Sequence, residues 1–346
     1  MLVITTSISG SGKDEYLKKV SDYAKVRGKK IKVYPVGDML LEHAKDIHLQ
    51  ITEENVLNTN PEALSAIRSA VFEKIIRELP KVLKEYDAVF INIHAMFYWK
   101  KVFIRSWDPY YVSQLNPDVF MSVIDSTQLI QNRLITRKQW QANPLTGEEI
   151  LLWRNVEVEM TASWAEMVRK PHWIMPVNAP EKVMYDVLFE PNRESVYTAM
   201  PMTNLKDQKM VKKIDNFIDK LMDKFIVFDP RWIEKGDTAV AKGVDPVLYN
   251  QIVARDLYWL IHQVKRVVAY MPQVVLSAGL INEIRYAHET NKEVWLIYPK
   301  GERISPFITY YCDQIFSSPE QLLKFIKDGS GKERKAKSAR SKKRKK

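Results

Sequence analysis

The sequence predicts an α/β protein built from two parallel-sheet domains. Three observations predict it. Short apolar, β-branched runs alternate with amphipathic helical stretches, the pattern of parallel strands joined by crossover helices. After a proline-rich interval near the middle of the chain, the alternation begins again. The 346 residues suit two domains at roughly 100–200 residues each.

In the first half, residues 1–7 read as a strand. Residues 14–26 carry helical periodicity through Tyr16, Val20, Tyr23 and Ala24, and 31–36 read as a second strand. Residues 61–79 form a long amphipathic helix with Leu64, Ile67, Val71, Ile75 and Ile76 on its apolar face. Pro80 is expected to end or kink it, because proline removes a helical donor. Buried strands follow at 87–95 and 118–124. Residues 171–194, with Pro171, Pro176, Pro180 and Pro191, read as a linker between a first domain at 1–170 and a second at 195–327. The second half reads as strand 195–199, helix 206–224, strand 225–228, helix 246–262, strand 266–270, helix 278–290 and strand 293–298. A last α/β unit ends near residue 327. Met210, Phe217, Leu221 and Met222 read as core.

Composition narrows the class. Apolar residues make up 46% and charged residues 27%, which excludes a wholly disordered or disulfide-stapled chain. No apolar run approaches the roughly 20 residues that cross a bilayer. The single cysteine, Cys312, points to a reducing, cytoplasmic setting. The six histidines form no metal-ligand pattern, so no zinc site is expected. Residues 331–346 hold ten Lys/Arg and one Glu, most of the chain's +11 formal charge. With no large apolar residue, the basic tail at 328–346 is expected to be disordered. It reads as a solvated tail without a specific partner, and also as one attracted weakly and salt-dependently to nucleic acid or another polyanion; the two readings are compatible.

The first chemical signal is Ser7-Ile8-Ser9-Gly10-Ser11-Gly12-Lys13-Asp14, between a strand and a helix. That is the setting of a P-loop, where glycines let backbone N–H groups curl round phosphate oxygens and the helix N-terminus adds positive potential. Lys13 is the residue expected to bridge the β- and γ-phosphates. Ser7 stands in place of the first glycine, and Asp14 in place of the Ser/Thr that reaches Mg²⁺.

With this loop, three further segments carry a resemblance over residues 1 to about 135. They are Val36-Gly37-Asp38-Met39-Leu40-Leu41-Glu42-His43-Ala44, Ile91-Asn92-Ile93-His94-Ala95, and Leu115-Asn116-Pro117-Asp118-Val119 leading to Ile124-Asp125 and Asn132-Arg133-Leu134. The half resembles the archaeal-type adenylate kinases and related nucleoside monophosphate kinases. The resemblance implies a P-loop NTPase kinase-like sheet domain that binds ATP with Mg²⁺, phosphate contacts from Ser9, Gly10, Ser11, Gly12, Lys13 and Asp14, and lid arginines at Arg133 and Arg137. It also places Asp14 and Asn92 near the metal, with Asn92 where the family has Asp. A carboxylate moved from one side of the metal to the other is one reading; a site that binds without turnover is the other. Trp140, Trp153 and Trp164 follow at irregular spacing; they either stack on a base or pack this subdomain, and core packing is the preferred reading.

In the second half, Ser195-Val196-Tyr197-Thr198-Ala199-Met200-Pro201-Met202, then Arg255-Asp256-Leu257, then Ser277-Ala278-Gly279-Leu280-Ile281-Asn282-Glu283 resemble the nucleoside 2-deoxyribosyltransferase superfamily, which includes the 2'-deoxynucleoside 5'-monophosphate N-hydrolases. The resemblance implies a second, Rossmann-like α/β domain acting at the bond between base and sugar. Glu283 matches the nucleophile, Asp256 the acid that protonates or orients the leaving base, and Tyr197 the hydroxyl that steers Glu283. Ser277, with Gly279, matches the 5'-phosphate contact. Met200 stands where a glycine is usual, and Lys265 in a region where Asp is usual. Members of that superfamily often build sites at subunit contacts, which leaves a homodimer open. The sequence therefore reads as a nucleotide-metabolism enzyme, a kinase fused to an N-glycosidase or deoxyribosyltransferase, with a catalytically weak nucleotide sensor as the alternative.

Overall fold

The structure is a computed structural model that describes residues 1–201, 207–234, 252–275 and 277–329. Two compact units emerge. One is formed by Met1–Pro191 with a later excursion that includes the helix Arg231–Glu234; the other begins at Asn192 and resumes at Val253.

The first unit carries strands β1 (Leu2–Thr6), β2 (Ile31–Pro35), β3 (Ala88–Asn92), β4 (Met96–Trp99), β5 (Val102–Arg105), β6 (Val119–Ile124) and β7 (His172–Pro176). Its main sheet has the order β2-β3-β1-β6-β7, and every pairing is parallel. β1, β3 and β6 are buried on both faces, which is why they read as predominantly apolar runs without the alternation of a half-exposed strand. The core packs Ile4, Val89, Ile91 and Phe120 of the sheet against Ile67, Val71, Phe72 and Ile75 of the helix Pro61–Glu85. That helix opens well: Asn60 Oδ1 accepts from the N–H groups of Glu62 and Ala63, and Pro61 occupies the first turn. It does not stop at Pro80, as the sequence predicts, but runs on to Glu85. Leu79 and Val82 on either side pack into the core and hold the continuation in place.

The expected linker at 171–194 is not one. It forms β7 and the helix Glu181–Phe189. The prolines mark element boundaries instead: Pro171 precedes β7, Pro176 closes it, Pro180 sits at the helix N-cap and Pro191 follows the helix. All are places where a missing N–H costs little. β4 and β5 form an antiparallel hairpin that the sequence reading omits. Its tip is Lys100-Lys101, both at positive φ (50° and 67°), where glycine or asparagine is the usual signal.

The second unit carries β8 (Ser195–Ala199), β9 (Ile226–Phe228), β10 (Arg266–Tyr270), β11 (Glu293–Ile297) and β12 (Gln314–Phe316), in the parallel order β12-β11-β10-β8-β9. Counted along the chain this is 2-1-3-4-5, a doubly wound order whose direction reverses between β8 and β10. The helix Gln208–Met222 buries Ile214, Phe217, Ile218 and Leu221, while Met210 and Met222 are half-buried. Met202, Lys206, the first residues of the expected 246–262 helix, and 331–346 of the expected basic tail lie outside the described residues. Among the described residues, no helix is long and apolar enough to cross a membrane.

Candidate functional site

The first unit gathers its chemistry at the carboxyl ends of β1 and β3, whose chains leave in opposite directions across the sheet. That reversal opens a crevice, the usual place for a ligand in an open parallel sheet. The loop of residues 7–12 leaves β1 and runs straight into the helix Lys13–Val26. Gly10 and Gly12 both adopt φ of +81°, in the left-handed region that other residues avoid. A Cβ on Gly10 would sit 3.2 Å from the Leu134 side chain and 3.3 Å from the Ile130 carbonyl. Ser11 Oγ donates to Ser7 Oγ at 2.8 Å and accepts from the Lys13 N–H at 3.3 Å, so Ser7 ties the loop down where a glycine is usual. Ser9 is half-buried on the same loop. Backbone N–H groups at the helix start make this loop suited to an anion.

Lys13 is buried, and its ammonium donates to the Ile93 carbonyl at 2.5 Å. Burial lowers its pKa, against the opposing charges of Asp14 and Glu157. Asn92 Nδ2 donates to Asp14 Oδ1 at 2.5 Å, so the two residues expected beside the metal are brought together. Asn92 Oδ1 is buried and has no hydrogen-bond partner among the described residues. His94 Nδ1 donates to the Ser7 carbonyl. Burial and the Lys13 charge push its pKa down to about 3, so the ring is neutral.

Behind the loop stands the helix Gly147–Met167, opened by a capping box between Thr146 and Glu149. It presents a polar group at nearly every turn. Arg154 Nη1 donates to the Asp125 carbonyl at 3.2 Å, and Thr161 Oγ1 lies 2.7 Å from Thr6 Oγ1. Glu157 accepts from the N–H groups of Ala95 and Met96 at 2.7 and 2.8 Å. Burial raises the Glu157 pKa, against those donors and the Lys13 charge. Trp153 Nε1 donates to the Met96 carbonyl at 2.7 Å, so one helix holds that residue through both its N–H and its carbonyl. Trp140 and Trp153 join Ile8 of the loop in a small core, and Trp164 is buried in the main one, which agrees with the packing reading.

Of the two expected lid arginines, Arg133 reaches the loop. Its Nη1 donates to the Gly10 carbonyl at 2.9 Å and to Asp125 Oδ2 at 2.6 Å. Asp125 also accepts from Ser126 N and Asn178 Nδ2. Burial raises its pKa while these donors oppose the rise. Arg137 is exposed at the N-cap of the short helix Lys138–Gln141, with its charge felt at His94. Glu157, His94 and Asp125 escape the sequence reading as site residues. The available signal was an acid on a helix buried on almost every side.

The second unit gathers its chemistry beside the reversal between β8 and β10. Tyr197, fully buried on β8, donates its hydroxyl to Glu283 Oε1 at 2.6 Å. Burial raises the Tyr197 pKa, and the charges of Asp256 and Glu283 add to the rise. Asp256 and Arg255 are buried together on a π-helical stretch, Arg255–Ile261, with Arg255 Nε donating to Asp256 Oδ1 at 2.9 Å. Such stretches are rare and are frequently found at functional sites. Ser277 is the N-cap of the helix Ala278–Glu289, its Oγ accepting from Leu280 N at 3.4 Å. Among the described residues, no atom comes within 4 Å of where a Cβ on Gly279 would stand. Met200 is buried just beyond β8. Lys265 lies at the other end of the sheet, where its amide donates to Ser195 and its ammonium pairs with Glu194. That departure therefore does not reach the Tyr197–Glu283 pair.

A family model described as an AAA domain matches residues 6–150. The N-terminal region thus carries a P-loop nucleotide-binding domain of kinase-like type. No curated protein matches the chain. Among solved structures the chain is similar to a conserved protein from Enterococcus faecalis (16% identity, TM-score 0.33, 39% of this chain and 98% of that one). It is also similar to the Clostridium botulinum CMP N-glycosidase BcmB (14% identity, TM-score 0.26, 39% and 99%). A Thermus thermophilus protein is a third (15% identity, TM-score 0.33, 55% and 97%).

Proposed function

We propose that the first unit is a nucleoside monophosphate kinase using ATP with Mg²⁺, and that the second binds a nucleotide and acts at its N-glycosidic bond. The observation that carries the kinase reading is the meeting of Lys13, Asp14 and Asn92 at one end of β1 and β3. Phosphoryl transfer needs positioning and charge neutralisation more than covalent help from the protein. Lys13 and Arg133 supply positive charge beside the glycines, and the loop amides hold phosphate oxygens. Asp14 and Asn92 fit Mg²⁺: both offer hard oxygen donors, and Asn92 Oδ1 is buried and unsatisfied among the described residues. Mg²⁺ usually takes one or two protein oxygens and completes its shell with water and phosphate. When bound there, it would supply neutralisation of phosphate charge.

In the second unit, support comes from the Tyr197–Glu283 hydrogen bond. It fixes one carboxylate oxygen and so orients the other for C1'. Attack there forms a C–O bond as the C1'–N bond breaks, the electron pair leaves with the base, and Asp256 protonates or orients that base. The amides beside Ser277 suit the 5'-phosphate.

A second reading, a nucleotide sensor without turnover, is favoured by Asp14 and Asn92 standing where the resemblance expects Ser/Thr and Asp. Product chromatography after incubation with Mg²⁺ and a panel of monophosphates, with and without ATP, separates them. Diphosphate formed only with ATP and lost in Lys13→Ala supports the kinase. Free base formed without ATP and lost in Glu283→Ala supports the glycosidic activity. Saturable binding without either product overturns both activities and leaves the sensor. Deleting residues 331–346 tests the tail: nucleic-acid binding that survives the deletion removes its role.

A further inference from the structure

The second unit has a pocket on the side of its sheet that Tyr197 does not face. In the parallel pairing of β8 with β10, Tyr197 lies beside Val267. Side chains alternate along a strand, so Tyr270, three residues beyond Val267, points to the opposite face. There its ring meets Phe217 of the helix Gln208–Met222 edge-on, with centroids 5.4 Å apart. The two rings help to line a pocket of about 350 Å³ with Lys213, Asn216, Lys220 and Glu320. That volume lies within the range of small-molecule sites.

Two features of the lining point to a ligand. Tyr270 is only 8% exposed, yet among the described residues no hydrogen bond reaches its hydroxyl. The hydroxyl is not sealed in the core but opens to the pocket, an apolar ring with a polar tip left available to a ligand. Lys213, Asn216 and Lys220 lie three and four residues apart, on one face of one helix. All three are exposed; among the described residues no hydrogen bond or ion pair holds their side chains, and the Lys220 charge is felt at Glu320. Four donors therefore converge on one pocket with an aromatic floor and a single carboxylate.

The geometry points to a second ligand site, independent of the P-loop and of Glu283, that takes a small organic phosphate. The phosphate sits on Lys213, Lys220, Asn216 and the Tyr270 hydroxyl. A ring, either a base or a sugar, lies against Phe217, with Glu320 accepting from its polar hydrogens. Nucleoside monophosphates and sugar phosphates share this chemistry.

Lysine acetylation of the full chain, followed by mass spectrometry, tests it with adenosine monophosphate, ribose 5-phosphate, adenosine and inorganic phosphate as probes. Either organic phosphate at millimolar concentration should slow labelling of Lys213 and Lys220 together, and adenosine should not. Equal protection by both organic phosphates identifies the sugar phosphate as the recognised part; protection by the nucleotide alone adds the base. Tyr270→Phe, which removes one oxygen and keeps the ring, should raise the half-protecting concentration about tenfold. Lys220→Glu, at an exposed position, should abolish protection. Labelling unchanged by every probe, protection equally good with inorganic phosphate, or indifference to Tyr270→Phe overturns the proposal. Labelling of Lys13 in the same digests reports the P-loop separately.

Discussion

The two P-loop glycines have the same backbone conformation and different surroundings, and that difference sets the cost of adding a methyl group. Both stand at φ +81°. Alanine at either position meets the left-handed penalty of roughly 1–2 kcal/mol, partly offset by the loss of unfolded-chain entropy. At Gly12 the new Cβ finds its nearest neighbours at 3.5 Å, ordinary contact with Arg133 and Val177. At Gly10 it meets Leu134 at 3.2 Å and the Ile130 carbonyl at 3.3 Å. Leu134 is buried and the carbonyl belongs to the backbone, so neither yields easily. Overpacking of this kind costs about 1–3 kcal/mol. Gly12→Ala should therefore lose about 1 kcal/mol and Gly10→Ala at least about 1 kcal/mol more. The assay is urea unfolding, followed by fluorescence of the buried tryptophans in the first unit and read from the transition they report. Both variants should also weaken ATP binding. Equal destabilisation by the two, or a Gly10→Ala protein as stable as the parent, would refute the steric argument.

Three further outcomes follow from the same geometry. Asp14→Ala should remove the Mg²⁺ dependence of nucleotide binding measured by titration calorimetry; an unchanged dependence would exclude the Asp14–Asn92 pair as the metal's protein donors. Trp153→Ala removes a fully buried indole and its hydrogen bond to Met96, and should cost about 3–5 kcal/mol in denaturant unfolding. Burial pushes the His172 pKa down to about 4, below its unfolded value of about 6.5. The native state therefore prefers the neutral ring. This contribution is full above pH 6.5, is lost as pH falls through about 4, and amounts to about 3 kcal/mol. His172→Gln should flatten the pH dependence of unfolding across that window.

The fold was legible because burial on both faces leaves a plain mark: β1, β3 and β6 are mostly apolar, with Thr5, Thr6, Asn92 and Ser122 the polar positions, and so is most of β10. The P-loop was legible because a glycine–lysine cluster between strand and helix has few other uses. The hairpin of β4 and β5 was hidden because its turn is built from two lysines held at positive φ by the packing of the strands. The role of Glu157 was hidden because a single acid on a helix carries no sign of which backbone amides it will meet. The prolines of 171–194 misled for a physical reason, since proline interrupts hydrogen bonding at the edge of an element as readily as in a loop. The pairing of Tyr197 with Glu283 came from resemblance alone. Its 86-residue separation in sequence is closed by the order of the second sheet.

The helix Gly147–Met167 has a consequence for how the chain can change length. Arg154, Glu157 and Thr161 meet three different strand ends through one helical face. Each α-helical residue turns that face by about 100°. A one-residue insertion or deletion ahead of Arg154 would swing all three contacts away from the P-loop together, and Trp153 with them. Point substitutions there remove one contact at a time, whereas length changes remove the set. Tolerance to insertion is therefore expected at the exposed Lys100-Lys101 turn and not in this helix, whose phase the nucleotide loop depends on.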